Sequence, residues 1–172
     1  MAKSLKGLLL LAVGLVAYGL AVWFLLRNDR AIGWWLLGAF LVGHGLVHVM
    51  FVVPQPATRP ATANEEYPFD IARSWPVTAG LDAGLVRLIG VALIATIVVG
   101  FVLAGLATID LLVPTGWWQG LVVGSTVASL VLLALAFRPG LILGVAIDAV
   151  LLWLALASSW LPLAAIAQRG GS

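Results

Sequence analysis

The stretch Ile32–Val53, IGWWLLGAFLVGHGLVHVMFVV, decides what kind of molecule this chain is. Apart from two histidines it contains no ionisable residue, and at about 1.5 Å of rise per residue it is long enough to cross a hydrocarbon core of roughly 30 Å. It therefore reads as a membrane-spanning helix. Its last third, Gly43-His44-Gly45-Leu46-Val47-His48, then raises the functional question. Two imidazoles one helical turn apart sit where hydrocarbon is expected, and ionisable groups inside a span are costly and usually face the bundle interior.

Working outward, four further runs have the same character, at about 7–26, 84–108, 117–137 and 141–163. The composition agrees. Of 172 residues 63% are hydrophobic and only 9% charged, with a mean hydropathy of +1.14, more apolar surface than a water-soluble domain can bury. The sequence thus predicts an all-α integral membrane protein, a single polytopic domain over 1–172 built as a bundle of five transmembrane helices with one longer interfacial loop at 54–83. The lipid bilayer is its first partner. A net charge of +2 comes from scattered Lys and Arg and forms no patch for a phosphate backbone, so nucleic acid is excluded as a partner. With no cysteine, disulfides, thiolate metal sites and thiol nucleophiles are excluded together.

Tryptophan gives a separate test of the span count, because it prefers the membrane–water interface. Trp23, Trp34, Trp35, Trp117, Trp118 and Trp160 all fall on one side if there are five alternating spans, and scatter if there are four or six. Short-loop cations set the orientation. Lys3, Lys6, Arg59, Arg73 and Arg138 lie on the amino-terminal side against Arg27, Arg30 and Arg169 on the other, which points to a multi-pass protein of the cell (inner) membrane with a cytoplasmic amino terminus. The opening MAKSLK and the apolar run after it read as an uncleaved first span, since the run exceeds a signal-peptide core.

The loop changes character along its length. PQPATRPATANEE is proline- and alanine-rich, whereas YPFDIARSW carries Tyr67, Phe69, Asp70, Arg73 and Trp75, an interfacial anchor or a lid over a site.

Depth and helical phase bring the polar residues into one layer. Measured from the amino-terminal-side end of each span, His48 lies roughly 7 Å deep, His44 roughly 13 Å, Asp148 roughly 10 Å and Arg87 roughly 5 Å. His44 and His48, at i and i+4, share a face. Gly140, Gly144 and Asp148 share another, and two glycines four apart allow a neighbouring helix to approach closely, so Asp148 is expected to point into a helix contact. Gly120, Gly124 and Ala128 form a matching small-residue stripe on the fourth span. Arg87 is expected to pair with Asp82 or Asp148 or to meet a headgroup. Ser125, Thr126 and Ser129 are expected to bond to the carbonyl one turn back, and Asp110 to sit in a turn.

Four readings of this layer follow. His44, His48 and Asp148 can ligate a divalent metal, leaving a position for water. Asp148 can instead bond one imidazole, fix its tautomer and serve a proton relay or small ligand. A single axial haem or pigment ligand is a third reading, and cross-helix hydrogen bonding that only fixes packing is the fourth. On the last reading the protein is an accessory or structural subunit, packing through its glycine faces as a homo-oligomer or in a larger membrane complex. No GxSxG, HExxH, Walker or GxGxxG motif is present. His44-x-x-x-His48 resembles one element of the intramembrane zinc hydrolases and of the membrane di-iron desaturases. The desaturases need several histidine clusters and the hydrolases a third histidine from another helix. Two histidines cannot supply either, and Asp148 would have to stand in.

Overall fold

The computed structural model describes residues 2–28, 31–52 and 74–157, and among them there are helices and no strand. The long helices are α1 (Ala2–Arg27), α2 (Ala31–Val47), α4 (Ala83–Ala107), α5 (Trp118–Leu135) and α6 (Ile142–Leu156), with a short α3 (Trp75–Thr78) preceding α4. Counting the 3-10 turns that extend α2, α5 and α6, five helices are long and apolar enough to cross a membrane.

Local chemistry sets the boundaries. α2 tightens into a 3-10 turn at His48–Phe51, closed by the Val52 amide donating to the Val49 carbonyl at 3.0 Å. Asp82 caps α4, its carboxylate accepting from the Leu85 amide at 2.8 Å. Arg138-Pro139-Gly140 turns the chain sharply from α5 into α6, the tight hairpin expected from so short a connector. Asp110 does lie in a turn, with a φ of 55° that Asp tolerates better than most residues. The part of the fifth span beyond residue 157, including Trp160, lies outside the described residues.

α4 and α5 form the centre, with α2 against α4, α6 against α5, and α1 on the rim against α2. Leu41, Ile97, Phe101, Ala104, Val122 and Ala155 are fully buried between them. α1 presents Leu9, Leu10, Val13, Val16 and Leu20 outward, as a lipid-facing helix does, and is held by the Tyr18 hydroxyl donating to the Leu36 carbonyl at 2.6 Å. Among the tryptophans, Trp23, Trp35 and Trp117 face outward, whereas Trp34 and Trp118 turn into the bundle.

The backbone-to-backbone approach through glycine is not between the helices expected to make it. A Cβ on Gly38 would lie 2.8 Å from the Gly105 carbonyl oxygen, one on Gly105 would lie 2.7 Å from the Gly38 carbonyl oxygen, and one on Gly45 would lie 2.8 Å from Phe101 Cβ. Glycine is required at these positions because backbone meets backbone where α2 crosses α4. Gly120 and Gly124 instead face open space, and Gly144 meets only the side-chain end of Leu133, at 3.4 Å. The proposed stripe pairing of the fourth and fifth spans is thus corrected. Those helices do pack together, but through Leu133 and other side chains and not through a glycine seam.

Candidate functional site

The ends of α2 and α5 and the start of α6 meet in one layer, and the side chains there form a continuous hydrogen-bonded chain. His44 Nε2 lies 2.8 Å from Asp148 Oδ1. Ser129 Oγ lies 2.5 Å from Asp148 Oδ2 and 2.7 Å from His48 Nε2. His48 Nδ1–H donates to the His44 carbonyl at 3.0 Å, which closes the chain on the helix that began it. Asp148 and Ser129 are completely buried and His48 is 4% exposed.

Each member is placed by its helix. Ser129 lies six residues before the end of α5 and Asp148 six residues after the start of α6, so the hairpin sets both at roughly 9 Å of depth. His44 and His48 are one turn apart, and the 3-10 tightening at His48 accompanies edge-to-face rings with centroids 5.4 Å apart. Aromatic neighbours hold the imidazoles. His44 stacks on Phe40 at 5.9 Å and meets the edge of Phe101 at 5.1 Å, while Phe51 stacks on His48 at 6.2 Å.

The hydrogens can be counted. A carbonyl only accepts, so His48 carries a hydrogen on Nδ1. With Asp148 ionised and both imidazoles neutral, His44, His48 and Ser129 offer one hydrogen each, and four contacts must share three hydrogens. One added proton completes every contact and brings the net charge of the cluster to zero. That proton has two positions. Either Asp148 is a carboxylic acid that donates to Ser129, whose hydroxyl donates to His48 Nε2, or His48 is an imidazolium that donates to Ser129, whose hydroxyl donates to the carboxylate. The two arrangements differ by reversal of one hydroxyl and movement of one proton.

The same atoms bear on a metal. One donor from each of His44, His48 and Asp148 lies within 4.8 Å of the others. Tetrahedral ligation at about 2.0–2.2 Å needs donors about 3.4 Å apart, so the side chains would have to close in, with Ser129 displaced or recruited. The set fits a divalent ion after that adjustment. A haem or pigment would need one Nε2 turned away from its partner, Asp148 for His44 or Ser129 for His48, with room for a macrocycle beside it.

Three of the four residues expected in the layer are therefore brought together. Arg87 is not among them. It is exposed on α4 and forms no ion pair with Asp148 or Asp82. Of the lid segment, Tyr67, Phe69, Asp70 and Arg73 lie outside the described residues. Trp75 is exposed, and its indole N–H donates at 2.8 Å to the Ala134 carbonyl, one of the carbonyls left without an intrahelical partner at the end of α5. Ser129 was expected to bond back to its own helix, as Ser125 does to Leu121 at 2.7 Å, and instead joins the cluster. The signal that would have found it is its depth, which matches that of Asp148 across the hairpin.

Comparison with protein-family models, curated proteins and solved structures finds no match.

Proposed function

We propose that this is a protonation-linked protein of the cell membrane, its amino terminus cytoplasmic, in which the chain His44–Asp148–Ser129–His48 holds one proton and passes it between carboxylate and imidazole. The observation that carries the proposal is the hydrogen count: four buried contacts are all satisfied only when one extra proton is present, and the cluster is then neutral. Neutrality matters at this depth because an uncompensated charge is expensive in a low-dielectric interior. His44 and Asp148 form one end of the chain, Ser129 is the reversible link, and His48 is the far acceptor. Arg87, outside this layer, is assigned to headgroup contact.

A second reading is a divalent metal held by His44, His48 and Asp148. It is supported by the convergence of their donor atoms and by the bond from His48 Nδ1–H to a carbonyl, which aims Nε2 as metal-bound histidines are usually aimed. One preparation separates the two. Metal content by mass spectrometry, nitrogen NMR of labelled histidines and the infrared carboxylic-acid band of Asp148 are measured on purified protein. The proton reading expects no stoichiometric metal, and either protonated Asp148 with neutral His48 or ionised Asp148 with doubly protonated His48. Ionised Asp148 beside two neutral imidazoles would overturn it, and a stoichiometric metal lost in His44→Ala/His48→Ala would establish the second reading in its place.

A further inference from the structure

Resting on that proton-holding reading, we infer that Thr126 holds an ordered water through which the cluster exchanges its proton with the side of the membrane where α5 begins. Thr126 is completely buried, and its hydroxyl has no hydrogen-bond partner among the described residues. Hydroxyls in apolar helices ordinarily bond to a carbonyl one turn back. Thr96 does so to Ala92 at 2.9 Å, Ser125 to Leu121 at 2.7 Å and Thr108 to Gly105 at 2.6 Å. Ser129 departs from this by joining the cluster, and Thr126 departs from it with no partner among the described residues; Thr126 lies one turn from Ser129 on the buried face of α5. Side chains three apart on a helix have Cβ atoms about 5–6 Å apart, so their hydroxyls come within reach of one water, which with two bent hydrogen bonds of about 2.8 Å bridges oxygens about 4.6 Å apart. A buried polar group without a protein partner is the usual position of an internal water.

Direction follows from what lies on either side. Toward the end of α2, Phe51 is stacked on His48 and buried, which covers that imidazole. Toward the start of α5, the same buried face continues through Val122 to Trp118, whose indole N–H is also buried without a partner. An indole only donates, so Trp118 can orient a water but cannot pass a proton. The Thr126 hydroxyl is the group that holds the exchanging water. In the step, that water takes the cluster proton as it returns one of its own, and is then replaced from the side where α5 begins. One bond to hydrogen forms for each that breaks, no net charge is left behind and no co-reactant is consumed.

The test is the rate of deuterium exchange at whichever group holds the cluster proton, read from its isotope shift after transfer of purified protein to heavy water. Thr126→Val keeps the shape and removes the hydroxyl, and is expected to slow exchange about tenfold, the rate equivalent of about one hydrogen bond. Thr126→Ser should exchange at the wild-type rate, as should Ser125→Ala, which removes a hydroxyl already bonded to its own helix. Should Thr126→Val prove unstable, Thr126→Ala gives the same comparison. Wild-type exchange in Thr126→Val, with the cluster proton present, would overturn the water route alone. Absence of the proton from the wild-type cluster would remove the underlying reading and this inference with it.

Discussion

Ser129 shows how much one residue changes the account. With His44, His48 and Asp148 alone, the layer is a histidine–carboxylate contact with an imidazole beside it. Adding a hydroxyl that faces Asp148 Oδ2 and His48 Nε2 makes it a continuous path. Ser129→Ala leaves both of those atoms unpaired and is expected to lower stability by about 1–3 kcal/mol in denaturation measurements. Asp148→Asn has the opposite sense. Its amide brings the hydrogen that the ionised carboxylate lacks, so all four contacts are made without an added proton. The two histidines and Asp148 were legible because the rise per residue gives depth and the i, i+4 spacing gives a shared face. Arg87 was misplaced because depth alone does not give direction: Val86 and Gly90 point inward on α4 and Arg87 points out. Ser129 was missed because a serine in an apolar helix by default bonds to its own backbone.

At the scale of elements, the extents of the helices were readable from hydropathy, while their pairing was not. Gly120, Gly124, Gly140 and Gly144 form regular four-residue spacings in the sequence, but the backbone contact uses Gly38 and Gly105, on helices far apart in the chain. Close approach depends on which faces oppose each other, and spacing within one helix carries no information about its partner. Gly38→Leu and Gly105→Leu are each expected to separate α2 from α4 and so to abolish a monodisperse, folded protein in size-exclusion chromatography. Gly120→Leu adds its side chain to open space and should leave the profile unchanged. The pairing also bears on the site. The strongest packing partner of α2 is α4, and the polar chain is what ties α2 to the α5–α6 hairpin.

For the whole molecule, an odd number of spans puts the turns at Gly80 and Arg138 on one side and Leu112 on the other. The chain lacks cysteine, so single-cysteine variants report this directly. Gly80→Cys and Arg138→Cys should be protected from an impermeant thiol reagent in intact cells, and Leu112→Cys, at an 88% exposed position, should be labelled. The reverse pattern would keep the five-span bundle and invert its orientation. The span count was legible because tryptophan and cationic residues mark interfaces independently of hydropathy. The interior was only partly legible, because Trp34 and Trp118 turn inward, which interfacial preference does not foresee.

By its hydrogen count, the buried chain of His44, Asp148, Ser129 and His48 is complete only with one added proton. The most direct test is thermal unfolding of the wild type and of Asp148→Asn in lipid nanodiscs from about pH 7.5 upward, where free histidines are already neutral and the unfolded chain holds no extra proton. There the wild type should lose stability as pH rises and the shared proton leaves, while Asp148→Asn should be as stable as the protonated wild type and nearly independent of pH. A wild type insensitive to pH, or an Asp148→Asn protein destabilised at every pH, would contradict the account and leave Asp148 an ordinary charged packing partner.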